Sequence, residues 1–306
     1  MARIAITGSS GLIGTALKAS LTDHGHDVLP VTRGAESNPA ALWDPERNWV
    51  RPGAFRGVDS VIHLAGASIG EGRWSAGRKA ELRKSRVPAT RLLVEELAKS
   101  DVPPSLVSAS GVGYYGNRGD EFLREESPPG EGFLAELVRD WEAEATRGRE
   151  FGLPVAIMRL GIVLAKEGGA LSRLLVPIRL GVGGPLGSGN QWWSWVTLQD
   201  TLSALEYAAT NRLDGVFNLT SPEPARNRSL TRAVARAVHR PAIFPVPPFA
   251  LRLMLGREMA NEMLLASQRV LPERLQASGF RFRDETLDAA IENVLTGRDQ
   301  ARASTV

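Results

Sequence analysis

The 306-residue chain contains no cysteine, which excludes disulfides and thiolate metal sites. Its four histidines are scattered, and only His24 and His26 lie close together, without a further ligand set nearby. We therefore expect no metal site. The lack of cysteine is also typical of proteins of a reducing compartment, and we expect a cytoplasmic location.

Long apolar runs are absent as well. No segment approaches the roughly 18 uncharged apolar residues of a membrane span, and glycine and serine interrupt the opening MARIAITGSS before a signal-peptide core forms. The net charge is only +3, and the basic residues, nearly all arginine, are interleaved with acids. We expect neither a membrane nor a nucleic-acid partner, and the sequence indicates no particular oligomeric state.

The chain does have a regular alternation of short β-branched runs and longer segments of helical period. Such alternation predicts βαβ units and a parallel sheet covered on both faces, which is a Rossmann-type doubly wound α/β fold. Residues 11–25 and 136–147 predict helices, and 91–100 predicts the end of another. The six predicted strands are 3–7, 26–32, 59–66, 105–110, 154–160 and 215–220.

The strongest local pattern is ITGSSGLIG at residues 6–14, in which three glycines spaced G-x-x-G-x-x-G join the first strand to the first helix. The first glycine allows a tight turn, the second lets the backbone approach a pyrophosphate, and the third lets the helix pack closely on the sheet. The helix N-terminus favours an anion. This context predicts dinucleotide binding rather than an ordinary glycine-rich turn. The residues assigned to the site are Gly8, Ser10, Gly11, Leu12, Ile13 and Gly14.

The end of the second strand distinguishes between the two nicotinamide cofactors. An NAD site would carry an acid there for the ribose 2′-hydroxyl, whereas this chain has Thr32 and Arg33. An arginine pairs with a 2′-phosphate through charge-assisted hydrogen bonds. We therefore predict NADP(H), and the alternative is that Arg33 is a surface arginine.

Composition changes after about residue 165. The segment 181–193 is glycine-rich and aromatic, and 244–270 follows a proline cluster with helical period. We predict a cofactor-binding domain over 1–165, completed by 195–222. A smaller, mainly helical substrate-binding region would comprise 166–194 and 223–306, and its partner would be a small molecule.

A competing motif is GASIG at residues 66–70, which matches the G-x-S-x-G nucleophile elbow with Ser68 as nucleophile. The elbow must open a helix packed on the sheet, but polar, glycine-broken residues follow. A triad would also need a later histidine, and only His239 qualifies. A hydrolase is therefore the weaker interpretation, and His63 is expected to pack at the end of the third strand.

Five segments taken together resemble the extended short-chain dehydrogenase/reductase superfamily: TGSSGLIG, DSVIHLAG, VSASGVGYYG, RLGIVL and VTLQD. The similarity is closer still to the epimerase family of NADP-dependent oxidoreductases related to nucleotide-sugar epimerases, and it extends over essentially the whole chain. It implies that Leu64, Ala65 and Gly66 line the adenosine and ribose. It also implies that Arg86 approaches the cofactor, unless it is an exposed helical charge.

The chain departs from that superfamily at its catalytic pair. Superfamily enzymes usually carry Tyr-x-x-x-Lys, in which the lysine lowers the tyrosine pKa so that proton transfer works near neutral pH. The three tyrosines here are Tyr114, Tyr115 and Tyr207, and no lysine stands four residues after any of them. By the resemblance, Phe133 and Leu137 occupy the two positions.

The tyrosines of GVGYYG are the remaining candidates for proton transfer. The resemblance places Tyr114 and Tyr115 after the fourth strand, where one of them would donate a proton, line the substrate cleft or only pack. Ser110 is the best match to the superfamily serine, with Ser108 second. Tryptophans 192, 193 and 195 would roof the cleft or belong to the core.

Two functions follow from this combination. The first is an NADP(H)-dependent oxidoreductase or epimerase-like enzyme acting on a small carbonyl or nucleotide-sugar-like substrate. The second is a non-catalytic NADP(H)-binding sensor or regulatory protein, for instance one of cell division. The absence of Tyr-x-x-x-Lys favours this second function more than the resemblance alone would.

Overall fold

A computed structural model describes residues 1–40 and 42–297. Its central feature is a six-stranded sheet in the order β2–β1–β3–β4–β5–β6. The pairs β1–β2, β1–β3 and β3–β4 are parallel. The strands are β1 (Arg3–Thr7), β2 (Asp27–Val31), β3 (Ser60–His63), β4 (Ser105–Gly111), β5 (Val155–Leu160) and β6 (Gly215–Leu219).

Helices separate most of the successive sheet strands, as crossover connections between parallel strands require. A hairpin of Trp43–Asp44 and Trp49–Val50 lies between β2 and β3. The helices are α1 (Leu12–Asp23), α2 (Ala76–Lys84), α3 (Val87–Leu97), α4 (Phe133–Thr146), α5 (Gly169–Arg179), α6 (Leu198–Thr210), α7 (Asn227–Ala237), α8 (Pro248–Leu255), α9 (Arg257–Met259), α10 (Glu273–Ala277) and α11 (Leu287–Thr296).

The chain divides into two compact units. Unit 1 comprises residues 1–110, 136–158 and 202–217. Its core consists of apolar side chains from the strands and from α3, among them Ala5, Val61 and Leu93, all essentially without exposure. The strands are apolar on both faces because a parallel sheet is covered by helices on both sides.

Unit 2 contains the remaining described residues, 111–135, 159–201 and 218–297. Its core is built mainly from helices α5, α7 and α11, together with Trp193 and Trp195. Three short two-stranded pairs add to it. They are Ile162–Leu164 with Trp195–Thr197, Trp192–Trp193 with Ala225–Arg226, and Phe122–Leu123 with Arg269–Val270.

The structure confirms the predicted fold class, with all six predicted strands in one sheet. The segment 244–270 is less helical than its period predicts. Gly256 has φ +89° and ends α8, a π-helical turn occupies Ala260–Leu264, and a strand begins at Arg269. The boundaries of the two units differ from those of the predicted functional domains, and the functional assignment of those domains stays a prediction. Residues beyond 297, which end the predicted region 223–306, lie outside the described part. In the described part, no helix is long and apolar enough to cross a bilayer.

Candidate functional site

The register of the sheet brings three predicted cofactor segments to one edge. Thr7 pairs with Val31 on one side and with His63 on the other. Gly8, Thr32 and Leu64 are therefore the first residues beyond three adjacent strand ends. Ligands of such sheets bind beyond these carboxyl ends.

Close packing requires glycine at two positions of the first turn. Gly8 has φ +70°, and a Cβ there would lie 2.7 Å from the carbonyl carbon of Leu64 and 2.8 Å from the nitrogen of Ala65. A Cβ on Gly14 would overlap the carbonyl oxygen of Gly8. Gly11 has an extended conformation with φ −75° and no close neighbour, so its own packing does not require glycine.

The N-terminus of α1 has the properties of an anion site. Gly11 is its N-cap, no side chain caps it, and its first turn carries no acid. The first-turn N–H groups therefore lack a side-chain acceptor, and the helix dipole adds positive potential there. Ser10, Gly11 and Leu12 are exposed, whereas Ile13 is half-buried.

A buried hydrogen-bond chain connects the ends of β1 and β3. The two ring nitrogens of His63 lie 2.7 Å from the hydroxyl of Thr7 and 3.0 Å from that of Thr90. The Thr7 hydroxyl also accepts a hydrogen bond from the Ala65 backbone N–H at 3.3 Å. Burial, and secondarily the charge of Arg86, lower the pKa of His63 to about 3. The ring is therefore neutral, and it fixes the segment after β3.

Arg86 lies in the turn between α2 and α3 and is buried within unit 1, rather than being an exposed helical charge. Its Nη2 donates to the carbonyl of Ala67 at 2.9 Å, and its guanidinium lies 5.2 Å from the Trp141 ring centroid. A Cβ on Gly66 would lie 2.8 Å from its Cζ. Burial, and secondarily the charge of Arg78, lower the pKa of Arg86 to about 10. Arg86 thus supports the 66–67 segment, and its predicted contact with a cofactor stays a prediction.

Thr32 and Arg33 lie immediately after β2, and both are exposed. The Thr32 hydroxyl donates to the carbonyl of Ala40, and the backbone of Arg33 forms a bridge with Trp43. The Arg33 guanidinium has no hydrogen bond or ion pair to any residue of the described part. It is therefore available for a ligand phosphate at the sheet edge.

Ser110, on β4, donates a 2.5 Å hydrogen bond to Glu142 of α4, and both side chains are buried. A buried carboxylate needs such a donor because desolvation of an unpaired charge is costly. The second candidate serine, Ser108, is buried and donates to the carbonyl of Ala109 at 3.3 Å. Of the two candidate serines, Ser110 is thus the one whose hydroxyl is oriented by a carboxylate.

The two adjacent tyrosines have different environments in unit 2. Tyr115 is fully buried, and its hydroxyl lies 2.7 Å from Asn218 Oδ1 and accepts a 2.9 Å hydrogen bond from Arg159. Burial raises the pKa of Tyr115 to about 12, against the opposing effects of Arg159 and Asn218. Tyr114 is half-buried, and the Arg159 guanidinium lies over its ring. The rings contact edge to face at 5.2 Å.

A cavity of about 380 Å³ adjoins the tyrosine turn within unit 2. Glu262, on the π-helical turn, accepts hydrogen bonds from the backbone N–H groups of Phe133 and Leu134, at 3.2 and 2.8 Å. Its carboxylate thereby caps α4. The lining residues are Gly113, Gly116, Asn117, Glu131, Leu134, Arg252, Asn261, Glu262, Leu265, Ala266 and Gln268.

The remaining predicted site residues are three tryptophans and Ser68, and all of them make contacts that stabilise the fold. Trp193 and Trp195 belong to the core of unit 2, whereas the half-buried Trp192 donates to Asp120 at 2.6 Å. Ser68 does not form a nucleophile elbow, because the next helix begins only at Ala76. Its carbonyl instead accepts a hydrogen bond from Arg78.

Comparison with known proteins identifies the family. A family model described as the NAD dependent epimerase/dehydratase family matches residues 4–220. The chain belongs to this family. A second model, a domain of unknown function (DUF1731), matches residues 246–294.

Individual relatives of this epimerase-family chain span nearly its whole length. Epimerase family protein Mb2239 of Mycobacterium bovis is 42% identical over 290 residues, 94% of this chain and 96% of the relative. The crystal structure of human epimerase family protein SDR39U1 (isoform 2) with NADPH superposes with a TM-score of 0.85 at 32% identity, covering 96% and 99% of the two chains. A nucleoside-diphosphate sugar epimerase from Corynebacterium glutamicum gives 0.77 at 32% identity, covering 99% of this chain and 61% of the other. The predicted superfamily is thus confirmed.

Three polar side chains that the structure places in hydrogen-bond networks were not identified from the sequence: Glu142, Glu262 and Thr90. Glu142 and Glu262 find their partners 32 and about 130 residues away, which no local pattern reveals. Thr90 lies on the buried side of the amphipathic helix α3 and belongs to no motif. His63 was expected only to pack, whereas the structure gives it hydrogen bonds on both ring nitrogens.

Proposed function

We propose that the chain is an NADP(H)-dependent oxidoreductase or epimerase-like enzyme that acts on a small carbonyl or nucleotide-sugar-like substrate. The observation that carries this proposal is the anion site at α1. A glycine turn that no larger residue fits and an uncapped helix N-terminus lie at the sheet edge where β2 also ends, just before Arg33.

These residues fit a dinucleotide with a 2′-phosphate. The first-turn N–H groups of α1 would hold the pyrophosphate, and Arg33 would pair with the 2′-phosphate. Leu64, Ala65 and Gly66 would contact the adenosine and ribose through their backbone, held in place by His63 and Arg86. When bound, NADP(H) supplies or accepts a hydride at the nicotinamide C4.

The proton-transfer group is best sought at Tyr114. The Tyr115 hydroxyl is buried, accepts from Arg159 and has Asn218 Oδ1 and the Arg124 carbonyl as acceptors for its single proton, which supports a packing role. Ser110 is paired with Glu142 and would act only in concert with it. Tyr114 is half-buried, next to the cavity-lining Gly113, which supports a ligand-contacting role for its ring and hydroxyl.

A second function, a non-catalytic NADP(H)-binding sensor, is favoured by one specific observation. The helix position expected to hold the catalytic lysine carries Leu137, which is fully buried. An apolar side chain neither binds the nicotinamide ribose nor lowers a tyrosine pKa. Cofactor binding would then be the whole activity, without turnover.

Isothermal titration tests the cofactor assignment. Arg33→Ala should weaken NADPH binding far more than NADH binding, because only NADPH carries the 2′-phosphate. Arg232→Ala, at an exposed arginine of α7, is the matched control and should leave both affinities unchanged. Equal weakening of both cofactors by Arg33→Ala would refute the 2′-phosphate role.

Turnover distinguishes the enzyme from the sensor. The purified chain is mixed with NADPH and a panel of carbonyl compounds and nucleotide sugars, and both absorbance and products are followed. Product analysis is needed because an epimerase consumes no net NADPH. Turnover that Tyr114→Phe abolishes while NADPH binding persists supports the enzyme. Tight binding without turnover across the panel supports the sensor.

A further inference from the structure

The cavity beside the tyrosine turn has more acidic than basic side chains in its lining. Its charged lining groups are two carboxylates, Glu131 and Glu262, against one guanidinium, Arg252. The Arg252 Nε is already engaged, since it donates to Asn261 Oδ1 at 3.0 Å. A diphosphate placed here would therefore meet a net negative lining, and like charges repel.

The N-terminus of α4 is suited to bind an anion in this cavity, but the carboxylate of Glu262 already occupies it. The N-terminus of α4 offers the backbone N–H groups of Phe133 and Leu134, and the Glu262 carboxylate accepts from both. The carboxylate is close-packed there, because a Cβ on Gly132 would lie 2.8 Å from its Oε1. A ligand phosphate would have to displace a carboxylate that already satisfies both donors.

The remaining polar lining suits neutral hydrogen-bonding ligands. Asn117 Oδ1 accepts from the Ser267 N–H at 2.9 Å, so its amide nitrogen is the end that remains for a ligand. Asn261 is oriented in the same way by Arg252. Gln268 adds a third amide, and Leu134, Leu265 and Ala266 supply an apolar wall. Amides and carboxylates match hydroxyl groups, which both donate and accept, and the amide N–H groups can also donate to a carbonyl oxygen, which only accepts.

We infer that this cavity binds an uncharged, hydroxyl-rich carbonyl compound and discriminates against nucleoside diphosphate sugars. The inference rests on the proposed function and narrows its substrate class. A volume of about 380 Å³ lies at the low end of the roughly 300–1,000 Å³ of small-molecule sites. It suits a free sugar or ketose better than a dinucleotide-sized ligand. Glu131 and Glu262 provide the discrimination because they repel phosphates.

Ligand-observed saturation-transfer NMR on the full chain, with and without NADPH, tests this inference. The neutral probes are glucose, xylose and dihydroxyacetone, and the charged probes are glucose 1-phosphate and UDP-glucose. The wild-type chain should bind at least one neutral probe, and UDP-glucose at least 10-fold more weakly than glucose. Asn261→Ala should weaken the neutral probe without changing the NADPH affinity measured by cofactor fluorescence.

Variants with glutamine in place of the cavity glutamates test whether their negative charge causes the discrimination against UDP-glucose. Glu131→Gln lies on the exposed rim and leaves the α4 cap intact, and Glu131→Gln/Glu262→Gln removes both charges. We expect UDP-glucose binding to tighten about 3-fold in the single and 10-fold or more in the double variant. Glu223→Gln, an exposed carboxylate outside the cavity lining, is the control and should change nothing. The circular dichroism of each variant verifies that it is folded.

The outcomes separate this inference from the proposed function. UDP-glucose binding that is tighter than glucose binding in the wild-type chain, or lack of transfer to every neutral probe, would overturn the inference while NADPH binding stands. Lack of NADPH binding would instead overturn the proposed function, and the probe measurements without NADPH would still judge the cavity.

Discussion

The guanidinium of Arg159 lies 3.4 Å from the centroid of the Tyr114 ring and donates a 2.9 Å hydrogen bond to the hydroxyl of Tyr115. One buried arginine thus holds two adjacent tyrosines in different ways. It contacts Tyr114 through the ring face, which a phenylalanine would also offer, and Tyr115 through the hydroxyl, which a phenylalanine lacks. The two residues therefore differ in what their hydroxyls contribute to stability.

Tyr115→Phe should destabilise the chain by about 1–3 kcal/mol, because it removes a buried hydroxyl that donates to Asn218 Oδ1 and accepts from Arg159. Urea unfolding followed by circular dichroism measures the change. Tyr114→Phe is the matched control and should change the free energy of unfolding by less than about 0.5 kcal/mol, because it keeps the ring face that Arg159 contacts. Equal effects of the two substitutions would contradict the different roles assigned here.

Gly14→Ala should abolish or severely weaken NADPH binding and destabilise the fold. The new Cβ would overlap the Gly8 carbonyl oxygen, which is backbone and can move only if the turn itself moves. Gly11→Ala is the comparison in the same motif, since its Cβ would meet its nearest neighbour only at 3.4 Å, in ordinary contact. Calorimetric NADPH titration should show the larger loss for Gly14→Ala. The opposite order would show that packing is not what requires glycine here.

The sheet was predictable because its signals are local. Each strand is a short β-branched run, and Gly8 to Gly14 combine a turn, a close approach and a helix start within seven residues. The helical period of 244–270 is confirmed between Pro248 and Leu264, except that Gly256 adopts φ +89° and divides this stretch in two. A single backbone angle that only glycine adopts readily outweighed the apolar pattern.

The site was less predictable wherever two distant segments form it. For Arg86 the structure excludes only the exposed alternative, because Trp141 and the carbonyl of Ala67 hold it inside unit 1, and its approach to the cofactor stays a prediction. The sequence shows its charge and not the groups that surround it. The same holds for Glu262, whose partners are backbone N–H groups at the start of α4, and backbone groups have no sequence signature.

Ser110→Ala should cost about 1–3 kcal/mol of stability, because the buried Glu142 carboxylate loses a 2.5 Å hydrogen bond. The double variant Ser110→Ala/Glu142→Gln should lose less than the sum of the two single variants, since the charge that needs the hydroxyl is then gone. Chemical unfolding of all four chains gives the coupling energy. Strict additivity would mean that the two side chains do not depend on each other in solution.

His63 should make the stability of the chain fall as the pH decreases below about 6.5. Its pKa is about 3 in the folded chain because the ring is buried, against 6.5 for an exposed histidine. Between these values the unfolded chain binds a proton that the folded chain does not. The free energy of unfolding therefore falls by up to about 1.4 kcal/mol per pH unit from this residue alone, and the contribution is complete above pH 6.5.

Urea unfolding at pH 4.5, 5.5 and 6.5 measures this slope. His63→Asn keeps a donor and an acceptor but has no proton to gain, so the wild-type chain should lose stability faster than the variant, by up to about 1.4 kcal/mol per pH unit. Comparing slopes removes the packing loss of the substitution, which is the same at every pH, and the titration of all other groups. His239→Asn, at an exposed histidine, should instead run parallel to the wild-type chain. Parallel profiles for His63→Asn and wild type would show that the ring takes up a proton in the folded chain as easily as in the unfolded one, contrary to its burial between Thr7 and Thr90.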